Sequence, residues 1–266
     1  MPKKPVFGTS EWAAHNANIL LGCQHDCRYC YAKAMAMRFG RATPESWATP
    51  ILNTKAYAAK RGKKVGTIMF PTTHDIHPDN LTECLEYLRK LLVAGNDVLV
   101  VTKPHKECID KLTSELGFYK KEILFRFTIG SPNTDVLKLW EPGAPSFEER
   151  YEALKLAHSR GFQTSISSEP MLDDIPHMTL LFNMAKEFVT NSHWMGKAND
   201  LLKRLKFNGV KDKKILEEAQ LLIDYWDDNH VKILYESLKN EPLIRWKESV
   251  KKVVGLAIPT KKGMDI

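Results

Sequence analysis

Cys23-Gln24-His25-Asp26-Cys27-Arg28-Tyr29-Cys30 sets three thiols within eight residues, at the spacing C-x3-C-x2-C. A short apolar run, Ile19-Leu20-Leu21-Gly22, leads into it, and a helical pattern starts directly after it at Tyr31. Thiolates suit iron–sulfur clusters, and three on one short loop are expected to hold three corners of a four-iron cube. The next cysteine is Cys84, so no fourth thiol follows in the loop and one iron is expected to stay open for chemistry. The competing reading is zinc, with His25 or another group as fourth ligand. Structural zinc sites usually come as paired Cys-x2-Cys knuckles, however, and no second pair exists here.

Outward from this loop, short β-rich runs alternate with helical periodicity, which predicts βα units around a parallel sheet. Strands are expected over 18–22, 66–70, 97–102, 123–129, 162–168 and, more weakly, 188–192. Helices are expected over 31–39, 81–94, 146–159 and 177–186, the third opening on a Ser146-Phe147-Glu148-Glu149 capping pattern. The expected fold is α/β, a partial (β/α)6 barrel over residues 1–192, with functional residues at the carboxyl ends of its strands. Residues 193–266 turn helical and Lys-rich, and are expected to form a basic helical appendage covering the open side of the barrel. Within it, Trp194-Met195-Gly196-Lys197 and Leu201–Lys206 mix aromatic and basic residues. This reads first as a helix with an apolar core face and a solvated basic face, and additionally as a combination that stacks bases and holds phosphates.

The 266 residues, 43% hydrophobic, suffice for one large domain with an appendage. No signal-like or membrane-spanning apolar stretch is present. Five cysteines, three of them clustered, fit metal ligation in a reducing compartment better than a disulfide framework, and a cytoplasmic location is expected. Cys84 and Cys108 read as small buried hydrophobes. The net charge is +7, and residues 1–60 alone carry eight Lys/Arg against three Asp/Glu. That balance favours an anionic partner, nucleic acid or nucleotide.

The cysteine loop, with Tyr29 before its last cysteine, resembles the radical S-adenosylmethionine (SAM) superfamily. The stretch from Asn18 to Ala32, the stretch from Trp140 to Arg150, the Gly161 turn and the strand ending near Pro170-Met171 are similar to its spore photoproduct lyase-related branch. The resemblance covers roughly residues 10–190. It implies a [4Fe–4S] cluster on Cys23, Cys27 and Cys30, with SAM chelating the open iron. One-electron cleavage of SAM would then give a 5′-deoxyadenosyl radical that abstracts hydrogen from a substrate, the electron coming from a flavodoxin or ferredoxin-type donor.

The same resemblance implies a SAM pocket from Tyr29, Thr73, His74, Lys103, Thr128, Ser131, Glu169 and Met171. Lys103 would pair with the SAM carboxylate, Thr128 and Ser131 would reach the ribose, and Glu169 and Met171 would line the adenine. Tyr31 and His74 are the catalytic candidates, Tyr31 as a hydrogen-atom relay. The lyases proper place a hydrogen-donating cysteine beside the second strand, and Phe70–Asp75 holds none, which argues against thymine-photodimer repair as such. The expected substrate is a nucleic-acid base or nucleotide. The alternatives are a peptide or small molecule, or a non-catalytic SAM- or nucleotide-binding role. No cysteine follows Cys108, which counts against the auxiliary cluster of many peptide maturases. Glu141 and Arg150 read equally as an internal ion pair holding the loop after the fourth strand or as a catalytic pair, and His74-x-x-His77 as weak metal spacing.

Overall fold

The computed structural model describes residues 4–264. Its strands are β1 (His15–Asn16), β2 (Leu20–Leu21), β3 (Ile51–Leu52), β4 (Ile68–Phe70), β5 (Val98–Thr102), β6 (Ile123–Thr128), β7 (Gln163–Ser168), β8 (Ser192–Met195) and β9 (Ile244–Trp246). Seven of them form one parallel sheet in the order β1-β4-β5-β6-β7-β8-β9. Consecutive parallel strands need crossovers, and helices such as Leu81–Val93, Lys106–Glu115, Phe147–Ser159 and Ile175–Ala185 supply them. This is the α/β partial-barrel class expected from the sequence, with one strand more than the six expected.

Three expectations are corrected. The run 18–22 is not the first barrel strand: Leu20–Leu21 pairs antiparallel with β3, and the sheet begins at β1. Ala17 N–H still bonds the Met69 carbonyl at 2.9 Å, after which the chain leaves the sheet and Ile19 N–H turns to His74 Nε2 at 3.2 Å. Secondly, the sixth expected strand lies further on, at β8, because Lys186–Phe188 closes the preceding helix as a 3-10 turn. Thirdly, the segment after 192 is not wholly helical. Besides Leu201–Phe207, Lys213–Tyr225, Asp228–Leu238 and Glu248–Val254 it returns β9 to the sheet edge, with His193 opposite Ile244.

Alternation along the strands sorts side chains to two faces. Phe125, Phe127 and Ile166 face the helices and join the main core. Met69, Leu99 and Trp194 face inward, where Trp12 and Ala13 meet them. Trp12 comes from the short helix Thr9–Trp12 and packs edge-on against Trp194, ring centroids 5.7 Å apart. The Arg126 guanidinium lies 4.6 Å from the Trp12 ring. Trp194 is thus fully buried inside the barrel, which matches the packing reading of the 194–197 stretch and excludes it as an external stacking platform.

Lys247, at the end of β9, is also fully buried. Its ammonium sits 2.7 Å from Glu11 Oε1 and 3.4 Å from Glu169 Oε2, and donates to the Gly8 carbonyl at 3.1 Å. Backbone bonds from Val6 to Pro259 and from Gly263 to Ser10 join the two ends of the chain. Barrel closure is therefore shared between the amino- and carboxy-terminal segments.

Candidate active site

Each turn of the cysteine loop is fixed from outside it. Gly22 has φ +105°, and a Cβ there would lie 2.7 Å from the Trp47 carbonyl, which itself accepts the Cys23 N–H at 2.9 Å. Arg28 donates through its backbone to Trp140 O and through Nε to Leu139 O at 2.7 Å. Gly143 approaches so closely that a Cβ would meet Gln24 O at 2.3 Å. From the other side, Asn208 Nδ2 donates to the carbonyls of Arg28 and Cys30 at 2.8 and 3.1 Å. Cys30 then caps the helix Tyr31–Arg38, its Sγ accepting the Lys33 N–H at 3.3 Å.

Cys23 and Cys27 are buried, Cys30 is half-buried, and none is in a disulfide. Burial raises all three thiols above their ordinary value. Thiols held in this way are shielded from solvent, and a metal deprotonates such thiols outright. Cys84 and Cys108 are buried in the main core, as expected. The three remaining thiols on one loop fit a site-differentiated cube. They do not fit the zinc reading with His25, because His25 spends Nδ1 on Asp75 at 3.1 Å and Nε2 on His105 at 3.0 Å.

The strand ends surround this loop. Lys103, just past β5, has its ammonium 3.9 Å from Glu141 Oε1 and 5.8 Å from the Tyr29 ring centre. Burial pulls its pKa down, but its ionisable neighbours Cys27, Tyr29, Glu141 and Asp75, of which the two carboxylates are already negative, more than offset that and raise it, so it stays charged. Tyr29 is buried and donates its hydroxyl to Glu141. Tyr31 has an exposed ring and donates its hydroxyl to the Thr72 carbonyl. Thr73 is half-buried, its N–H held by Asn18 Oδ1 at 2.8 Å. Asn18 also takes the Thr72 N–H at 2.7 Å, so one side chain clamps the loop after β4.

Other expected residues are placed deeper. His74 accepts Ile19 N–H at Nε2 and contacts Asp75 O through Nδ1 at 3.2 Å, and burial pulls it down to about 4. His77 Nδ1 takes the Asp79 N–H and caps a 3-10 turn, so both histidines of the His74-x-x-His77 spacing are spent on local structure. Thr128 is buried at the end of β6. Ser131 is buried and bonds Asp173 Oδ2 at 2.7 Å and Asn133 N at 2.9 Å. Met171 is wholly buried in the main core. Glu169 is half-buried near Lys247; burial raises its carboxyl, against the pull of that ammonium. The structure therefore gathers Tyr29, Tyr31, Thr73, Lys103 and the three cysteines at one mouth, while Ser131 and Met171 serve neighbouring loops.

Sequence reasoning missed Asp75. Its carboxylate accepts the N–H of Ile76 and Lys103 and the hydroxyl of Thr102, and pairs with His25. Burial opposes its ionisation, but His25, Lys103 and Thr102 win and hold it well below the carboxylate range. The local signal was an acid directly after an apolar strand, with a histidine inside the cysteine loop.

A sequence profile of the Radical SAM superfamily matches residues 17–174. The chain belongs to the radical SAM superfamily. The cofactors of this family, a [4Fe–4S] cluster and SAM, are therefore those of this protein. Among curated relatives, an uncharacterized protein of Methanocaldococcus jannaschii is 24% identical over 196 residues, covering 72% of this chain and 73% of its own. An uncharacterized protein of Acidianus two-tailed virus is 25% identical, covering 58% and 54%. Among solved structures, spore photoproduct lyase complexed with dinucleoside spore photoproduct has TM-score 0.59 at 16% identity, over 91% of this chain and 78% of that one. Streptococcus suis SuiB bound to precursor peptide SuiA has TM-score 0.53 at 10% identity, over 91% and 49%. These likenesses are of fold.

Proposed function

We propose that this radical SAM enzyme ligates its cluster through Cys23, Cys27 and Cys30 and acts on a nucleic-acid base or nucleotide. The observation that carries the reading is the loop itself: three shielded thiols, no fourth cysteine beside them, and the charged Lys103 at the adjacent strand end. Bound together, cluster and SAM supply a 5′-deoxyadenosyl radical able to abstract hydrogen from an unactivated carbon. The chain's own part is to position and to exclude water. Lys103 offers a fixed cation to a carboxylate. Thr128 lies on the inner wall, and Glu169 reaches the same rim from β7. Tyr31, hydrogen-bonded to the loop after β4, takes the role of hydrogen-atom relay in this reading, supported by its position directly after Cys30.

The nucleic-acid assignment is supported by the net charge of +7 and by the basic helix Leu201–Phe207, which packs on the helix that follows the cysteine loop. It is also supported by the dinucleoside lesion in the lyase that shares the fold. A peptide substrate is the second reading, favoured by the likeness to SuiB, whose structure contains a precursor peptide. The electron donor is a flavodoxin or ferredoxin-type protein. No helix among the described residues is long and apolar enough to cross a membrane.

The test is anaerobic. The protein is reconstituted with iron and sulfide, reduced with dithionite, given SAM and assayed for 5′-deoxyadenosine beside Cys30→Ala. The expected result is product that vanishes in the variant, with turnover changed by nucleic acid and not by peptide. Equal product from Cys30→Ala would overturn the ligand assignment.

A further inference from the structure

Two neighbouring helices beside the mouth leave an aromatic and basic face uncovered. On Tyr31–Arg38 the positions 31, 35 and 39 fall on one side, and Tyr31, Met35 and Phe39 are 40%, 43% and 57% exposed. Large apolar side chains aligned on a helix normally face the core, and here that role belongs to Ala32, Ala34 and Ala36 on the other side. The guanidinium groups of Arg38 and Arg41 flank the Phe39 ring at 5.7 and 5.4 Å. The second helix, Leu201–Phe207, packs against the first and buries Leu201 and Leu205, leaving Lys203, Lys206 and Phe207 exposed. Arg204 is half-buried, and Asn208, which follows the helix directly, donates to the carbonyls of Arg28 and Cys30, which ties this face to the mouth.

The charge is uncompensated. Among the described residues none of Arg38, Arg41, Lys203, Arg204 or Lys206 has a carboxylate within 4 Å. Asp26, the acid of the adjoining loop, is already taken by Lys33 at 2.7 Å. Phe39 stays 57% exposed with the two guanidinium groups over its ring at cation–π distance, so ring and guanidinium planes together offer stacking surface beside fixed cations. That combination stacks a base and holds the phosphates on either side of it.

We infer that this two-helix face is the track for a single-stranded or locally unpaired nucleic-acid strand, with one base stacked on Phe39 and its phosphates on Arg38, Arg41 and Lys206. The inference rests on the nucleic-acid reading above and adds where the strand lies. A strand on this track passes Tyr31 at the rim, so an adjoining nucleotide is delivered to the strand ends without the protein opening a duplex there.

The experiment is anisotropy of labelled oligothymidylate and oligouridylate with the anaerobic holoprotein, titrated with salt from about 50 mM. The triple variant Arg38→Ala/Arg41→Ala/Lys206→Ala is compared with Lys60→Ala/Lys63→Ala/Lys64→Ala. The latter removes the same charge from exposed lysines ahead of β4, at the opposite end of the sheet. The first triple is expected to lower the slope of log affinity against log salt by about 2, since each single-strand phosphate contact is worth about 0.7. Phe39→Ala is expected to weaken binding by about fivefold or more with the slope unchanged. The control triple is expected to bind within about twofold of the parent. Circular dichroism on each variant confirms folding, and any variant that fails it is replaced by Phe39→Leu and by Arg38→Gln/Arg41→Gln. Equal losses in the two triples would overturn the track and leave the nucleic-acid reading standing. Absence of oligonucleotide binding, with 5′-deoxyadenosine still formed, would overturn both. Binding to anionic vesicles in place of oligonucleotides would make the face a membrane contact and overturn the track.

Discussion

Replacing Arg150 by methionine leaves Glu141 charged, buried and without its main partner. Both side chains are fully buried and their ion pair spans 2.5 Å. Arg150 also bonds the carbonyls of Pro145 at 2.9 Å and Thr128 at 3.1 Å, while Glu141 accepts from Tyr29. The pair therefore ties the loop after Trp140 to the end of β6 and, through Tyr29 and Gly143, to the cysteine loop. Removing one member of such a pair costs about 3–5 kcal/mol, against a total stability of about 5–15 kcal/mol. At roughly 2–4 °C per kcal/mol, Arg150→Met should melt about 6–20 °C below the parent. Burial raises the Glu141 carboxyl, and Arg150 and then Lys103 more than offset it, so its pKa is depressed. The stability it contributes is thus complete above the ordinary carboxylate pKa and lost as pH falls below it. The assay is urea unfolding of the reduced apo-protein across pH, with Arg150→Met, Glu141→Gln and the double variant. The double variant should recover part of the loss, because a neutral pair strands no charge. A cost below about 1 kcal/mol for Arg150→Met, or strict additivity, would refute the reasoning.

Three further outcomes are expected. Gly22→Ala, at φ +105° with a Cβ against the Trp47 carbonyl, should cost about 1–3 kcal/mol and lower iron incorporation, read by unfolding and by iron assay. Lys103→Met should retain the cluster absorbance and weaken SAM binding about ten- to a hundredfold by equilibrium dialysis, the loss of one charge-assisted hydrogen bond. Glu11 has a carboxyl raised by burial, against Lys247, from 4.5 to about 7, so the folded state holds a proton there that the unfolded chain has lost. Its contribution is present below the ordinary carboxylate pKa and declines as pH rises toward neutrality; the decline should vanish in Glu11→Gln when urea midpoints are compared.

Much of this was legible in the sequence because it is local. The cysteine spacing, the all-apolar Val98–Val101 run and the Ser146 cap, whose Oγ accepts Glu149 N at 3.2 Å, each lie within a few residues. What escaped is long-range or masked by neighbours. β9 is three residues inside a Lys-rich helical stretch, so its periodicity never accumulates. Lys247 pairs with Glu11, more than two hundred residues away, and nothing near either marks it. Trp194 reads as the start of a helical segment, but it lies on a β8 position that strand alternation turns into the barrel, where Trp12 covers it. The apolar run 18–22 has strand composition, yet Gly22 and the His74 contact to Ile19 carry it off the sheet toward the cysteine loop.

That diversion explains why the mouth is so heavily cross-linked. A loop leaving its sheet early has no ladder to hold it, so other polar groups must do so. Asp75 joins the ends of β4 and β5 to His25, Asn18 joins its own segment to Thr72 and Thr73, and Asn208 reaches back from the C-terminal helices to Cys30. Each buried polar group spent in this way is unavailable for exchange with substrate but fixes the geometry of the groups that remain. Lys103 is different: its ammonium is charged, yet its nearest carboxylate oxygen, on Glu141, is 3.9 Å away, beyond hydrogen-bond reach, and that oxygen already accepts from Tyr29. The proposed contact of Lys103 with the SAM carboxylate rests on this: a rigid frame leaves one cation at its centre with hydrogen-bonding capacity to spare.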